Sequence, residues 1–194
     1  MSFARAIATV GGITMVSRIL GFVRDMLMAR FLGAGPAADA FFVAFRLPNL
    51  FRSLFAEGAF TAAFLPLFSG TLQKEGQDSA KGLAEEALSM MVTVLLGFCI
   101  LMSLAMPLVV SVLATGFKED PDQFRLAVAM SRVMFPYLAL ISLTALLGSI
   151  LNALGRYGPF AAAPVLLNIV QITGLLASQP LGLPVHWVLA WGVP

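Results

Sequence analysis

Charge is scarce in this sequence: Asp, Glu, Lys and Arg make up 11% of its 194 residues, where a soluble domain carries about 25%. A chain so poor in charge, and 59% hydrophobic, cannot cover its surface with polar groups, which excludes an ordinary soluble domain. The single cysteine, Cys99, excludes an internal disulfide and a cysteine-based metal cluster; inside an apolar run it reads as a small buried hydrophobe. The single histidine, His186, excludes a histidine pair and, beside Trp187, reads as a polar interface residue. There is no phosphate-cradling Gly-Lys loop and no Ser/His/Asp set, so no catalytic residue, cofactor or metal is expected and the chain does not read as an enzyme. A cleavable leader is disfavoured as well, because Arg18, Arg24 and Asp25 stand where small residues should follow the run 6–17.

What the sequence does contain is long runs free of charge. Residues 87–115 and 133–155 carry no charge at all, nor do residues 157–194, and about 20 apolar residues suffice for a helix to span a bilayer. Unpaired backbone groups in lipid cost several kcal/mol, so such a chain spans as helices or as a closed barrel. A barrel would show short alternating segments instead. The expected fold is therefore an all-α, polytopic transmembrane bundle. Turn residues divide it into helices near 5–33, 37–72, 82–115, 123–153 and 160–178, with a sixth beginning near 185. Arg5, Lys74, Lys81 and Arg156 collect on one side of this arrangement, against Lys118 and Arg125 on the other. The positive-inside rule makes the first side, with the N-terminus, cytoplasmic. Trp187 and Trp191 sit where the sixth segment enters the bilayer, as interfacial anchors do.

The arginines are placed differently from the lysines. All three lysines fall in expected loops, while Arg18, Arg24, Arg30, Arg46 and Arg52 fall within the first two helices. Residues 1–60 carry net +3 and the remainder net −1. A central Arg costs about 2.5 to 3.5 kcal/mol on the insertion scale, so these side chains should snorkel, pair, or face an aqueous cavity. Helical spacing aligns Ser17 with Arg24, Arg18 with Asp25 and Asp39 with Arg46, and Arg46, Asn49 and Arg52 form a polar stripe. Pro48 lies within that stripe and should kink the helix, leaving a carbonyl free to face water. Broken polar helices at membrane depth are typical of transport sites. Guanidinium binds phosphate in bidentate fashion and stays charged at any working pH, which points to a polyanion such as a diphosphate headgroup. The competing interpretation is that pairs such as Arg24 with Asp25, or Arg52 with Glu57, only fix helix packing. Small pairs four apart, Ala8 with Gly12 and Ser17 with Gly21, should let the first helix approach a neighbour closely.

Three segments carry a resemblance: SRILGFVRD at 17–25, DAFFVAFRLPNLFR at 39–52, and FAEGAF at 55–60. With RVMFPY at 132–137, LNALGR at 151–156 and APVLLN at 163–168, they resemble the MurJ (MviN) family of bacterial lipid II flippases, in the multidrug/oligosaccharidyl-lipid/polysaccharide exporter superfamily. The resemblance implies two helical lobes around a central cavity, and movement of undecaprenyl-diphosphate-linked peptidoglycan precursor from the cytoplasmic to the periplasmic leaflet of the inner membrane by alternating access. It implies that Ser17, Arg18, Arg24, Asp25, Arg52 and Asn168 line or support the headgroup cavity, with Arg46 and Asn49 added by the spacing, and that Asp39 and Glu57 belong to a periplasmic gate. Cell-wall synthesis machinery is an expected partner. On this basis the chain reads as most of the N-terminal lobe, a piece that alone should not flip lipid. Rival interpretations are export of another polyprenyl-diphosphate oligosaccharide or of drugs, a non-transporting scaffold of cell-wall assembly, and, least supported, a membrane enzyme acting on lipid phosphates.

Overall fold

The structure is a computed structural model and describes residues 3–55, 59–156 and 158–193. Among these the regular elements are all helical: α1 Phe3–Leu32, α2 Pro36–Phe55, α3 Ala59–Lys74, α4 Gln77–Leu113, α5 Pro121–Met134, α6 Tyr137–Ala153, α7 Gly158–Leu181 and α8 Val185–Trp191. A single 3-10 stretch, Thr115–Glu119, joins α4 to α5. Among the described residues, three segments are long and apolar enough to cross a membrane, Gln77–Leu113, Pro121–Ala153 and Phe160–Leu181. Helix α1, at 30 residues, has the length but carries arginines along it.

Local chemistry sets the boundaries. Gly33 and Gly76 adopt φ of +67° and +89°, a left-handed conformation open to glycine without a Cβ clash, and they stand in the α1–α2 and α3–α4 turns. Asp120 caps α5: its Oδ1 accepts from the Asp122 and Gln123 amides at 3.0 and 3.1 Å, and Pro121 occupies the first helical position, where its missing N–H is harmless. Residues 37–72, expected as one helix, comprise α2 and the greater part of α3, with residues 56–58 outside the described set. Residues 123–153 are divided at Phe135 and Pro136, because Pro136 has no N–H for the Arg132 carbonyl. Both residues stay in the right-handed helical region, and the Leu138 amide bonds back to the Phe135 carbonyl at 3.0 Å. The path therefore continues as one span.

The 37 residues of α4 reach about 55 Å at 1.5 Å per residue, against ~30 Å of hydrocarbon. Its first turns are charged, with Lys81 near Glu85 at 3.7 Å, and they extend beyond the apolar part. Further along, Leu96, Ile100, Leu101, Leu104 and Leu108 are exposed, which suits a lipid-facing surface. Helix α1 packs on α7, α2 on α5 and α6, and α4 on α3, α5 and α6. The Phe51, Phe98 and Phe135 rings, with centroids 5.2 to 5.9 Å apart, lock α2 and α4 against the α5–α6 junction at separations favourable for aromatic pairs. Gly148 is required where α6 meets α7, since a Cβ there would fall inside the Phe160 ring. Gly148→Val should destabilise the protein by about 1–3 kcal/mol, seen as a lower melting midpoint of the complete protein in detergent; an unchanged midpoint would reject this packing.

One contact answers a backbone defect. Pro107 cannot donate to the Ser103 carbonyl four residues earlier, and Arg132 Nε donates to that carbonyl at 2.9 Å. Arg132→Met should cost about 1–3 kcal/mol, the range for a polar group left unpartnered. Pro107→Ala restores the backbone donor, so the same Arg132 change should cost at least 1 kcal/mol less in that background, roughly the coupling of contacting residues. Additive effects in the four unfolding measurements of the cycle would disprove the compensation.

Candidate functional site

Arg24 lies eight residues before the C-terminal end of α1, about 12 Å along the helix, with its side chain only 22% exposed. Its guanidinium is divided between two neighbours. Nε and Nη2 donate to Asp25 Oδ1 at 3.0 and 2.8 Å, and Nη1 donates to Asn168 Oδ1 at 3.0 Å. Asn168, on α7, completes the bracket by donating from Nδ2 to the Ser17 carbonyl at 3.0 Å. Residues 144 positions apart are thus joined through one planar amide whose oxygen accepts and whose nitrogen donates. Gly21 lies beside it: a Cβ there would stand 3.6 Å from Asn168 Nδ2, ordinary van der Waals contact. Asn168 is buried; a buried amide satisfied at both ends gives a specific helix contact instead of a desolvation penalty.

The alignment of Ser17, Gly21 and Arg24 along one face of α1 is visible in this bracket, although Ser17 takes part through its backbone carbonyl. The other small pair behaves differently. A Cβ on Gly12 would meet nothing within 4 Å, and Ala8 and Gly12 line an open apolar groove of about 480 Å³ between α1 and α7. Of these two small pairs, only the one ending at Gly21 lies against α7 closely enough for an added Cβ to make contact, beside the polar bonds of Asn168.

Arg18 and Arg46 are exposed and have no acidic partner among the described residues. Arg52 is half-buried near the end of α2. Asn49 is half-buried and donates from Nδ2 to the Phe45 carbonyl at 3.1 Å, so its amide nitrogen supports its own helix. Helix α2 continues through Pro48, and Ala44, whose carbonyl Pro48 cannot satisfy, is fully buried; that carbonyl does not face water as the sequence suggested, because the helix packs on α5 and α6 at this level. Asp39 is exposed in the first turn of α2, where a carboxylate is favoured by the helix dipole. Gln123 of α5 reaches the Pro36 carbonyl at 3.5 Å, which puts Asp39 at the α4–α5 end of the bundle. Glu57, and with it any pairing to Arg52, lies outside the described residues.

Beside the bracket is a cavity of about 100 Å³, lined by Arg24, Asp25, Gln171 and the rings of Phe41, Phe42 and Phe45. Gln171 was not singled out by sequence reasoning, yet it is only 5% exposed and has no hydrogen-bond partner among the described residues. The available signal was helical spacing: Gln171 stands three residues after Asn168 and so shares its face of α7.

Comparison with known proteins gives a consistent answer. The family described as Lipid II flippase MurJ matches residues 28–194. The probable lipid II flippase MurJ of Rhizobium tropici is 49% identical over the whole chain, and the lipid II flippase MurJ of Burkholderia cenocepacia is 41% identical over the whole chain. The chain spans 37% of the length of each of these relatives. A solved structure of lipid II flippase MurJ in an inward closed conformation aligns with 95% of the chain and 38% of its own length, at 29% identity and a TM-score of 0.63.

Proposed function

Because the chain belongs to the lipid II flippase MurJ family, we propose that the complete protein moves lipid II from the cytoplasmic to the periplasmic leaflet of the bacterial inner membrane, by alternating access of two helical lobes. The observation that carries this reading is the guanidinium of Arg24, held by Asp25 and Asn168 with an N–H on each Nη still free to donate. Arg18 and Arg46, exposed and without acidic partners among the described residues, add positive charge to the same hairpin. Diphosphate recognition needs such donors, fixed in direction and always charged. In this reading Ser17, Arg18, Arg24, Asp25, Arg46, Asn49, Arg52 and Asn168 form or support the headgroup site. Asp39 and Glu57 stand toward the periplasmic gate, the N-terminus is cytoplasmic, and cell-wall synthesis enzymes take up the product.

Depleting the complete protein in cells that depend on it should reduce lipid II on the outer face and raise it inside, and re-expression should reverse both. Undiminished outer lipid II after depletion would reject the proposal. The Arg24–Asp25 pair at 2.8 Å favours a second reading, a scaffold in which the polar residues only hold helices together. That reading requires Arg18→Gln and Arg46→Gln to leave lipid II export unchanged, whereas the transport reading expects the double variant to lose most of it, measured as outer-face lipid II at equal expression.

A further inference from the structure

The cavity beside Arg24 has a composition unlike a phosphate site. Arg24 and Asp25 are ion-paired, which offsets the positive charge on the side of Arg24 that faces Asp25. Asp25 Oδ1 takes both bonds from Arg24, and Oδ2 remains an open acceptor that would repel a phosphate oxygen. Gln171 contributes an amide with two donors and an acceptor, 95% buried, unpartnered among the described residues and lining the space. With no protein partner among the described residues, this amide is available to a ligand group in the pocket that carries a complementary donor and acceptor. The other wall is aromatic, with Phe41, Phe42 and Phe45 offering apolar faces. A volume of about 100 Å³ corresponds to roughly three waters at ~30 Å³ each, or a group of about four heavy atoms, and not to a whole sugar ring.

We propose that this pocket receives a neutral, amide-bearing arm of the headgroup, an acetamido group, with Gln171 pairing to its N–H and C=O and its methyl lying against the phenylalanine rings. The inference rests on the lipid-transport reading and deepens it. The diphosphate falls to the free Nη donors of Arg24 together with Arg18 and Arg46, and the pocket between Asp25, Gln171 and the phenylalanines selects what is attached to it. A site that hydrogen-bonds a polar group discriminates against an analogue lacking that group.

The test uses the complete protein in lipid nanodiscs and two synthetic prenyl diphosphates, one carrying N-acetylglucosamine and the other glucose. The parent should bind the acetamido ligand about tenfold more tightly, the effect of one or two net hydrogen bonds. Gln171→Leu and the unbranched Gln171→Met should bind both ligands alike, at the parent's affinity for the glucose ligand. A tenfold preference persisting in both variants would overturn the assignment of Gln171, and a parent without preference would overturn the pocket itself. A parent that binds neither ligand would overturn the transport reading, and this inference with it.

Discussion

Arg24→Lys in the complete protein is expected to lower outer-face lipid II at least tenfold, nearly as far as Arg24→Gln. Charge is preserved in the lysine variant, so the loss tests geometry alone. Arg24 donates in two directions from one rigid plane, through Nε and Nη2 to Asp25 and through Nη1 to Asn168. An ammonium on a flexible stem satisfies Asp25 or Asn168 but does not hold both in fixed orientation. Hydrogen bonds to charged groups contribute about 1.5–3 kcal/mol each, and losing one corresponds to roughly ten- to a hundredfold at 1.4 kcal/mol per decade. Lysine supporting export at the parent level, at equal expression, would show that net charge is sufficient and that the fork is irrelevant.

Asn168→Leu should have the largest effect on stability, about 2–4 kcal/mol. The substitution keeps a similar volume, yet it leaves Arg24 Nη1 and the Ser17 carbonyl without the partners they have now, at about 1–3 kcal/mol for each polar group left unsatisfied away from water. Unfolding of the complete protein in detergent measures this directly. Asn168→Asp provides the contrast: it keeps an acceptor for Arg24 and loses the donor to Ser17, placing negative charge against a carbonyl. Its penalty should fall between those of the parent and the leucine variant, because a stronger pair with Arg24 offsets the lost bond. If leucine is neutral, α1 and α7 are held by apolar contact and the bracket contributes little.

The two predictions draw on residues that were legible to different degrees. Ser17 and Arg24 are aligned on one helix by spacing alone, and Asp25 adjoins Arg24 in the sequence. Asn168 entered through likeness to a family, since no periodicity relates position 24 to position 168. Gln171 and Arg132 were passed over for opposite reasons. Gln171 is a neutral amide in an apolar helix, and its burial against a cavity depends on how α2 packs near α7. Arg132 matters through Pro107, and the deficit in one helix and the donor in another become a pair only once α4 and α5 are adjacent. The open groove beside Ala8 and Gly12 shows the reverse case, in which small residues permit close packing and the structure does not use it.

Membrane class, helical nature and the concentration of cationic side chains in the first hairpin followed from the sequence by itself. These properties are consequences of how often apolar and charged groups occur along the chain, and lipid imposes the helix on any long run without charge. Only the tertiary structure decided that Arg24 is shared between Asp25 and Asn168, that Ser17 acts through its carbonyl, and that a pocket lies between Gln171 and three phenylalanines. The reason is that hydrogen bonds are directional and short-ranged, so their partners are chosen by distances of tenths of an ångström between helices whose packing no local pattern specifies.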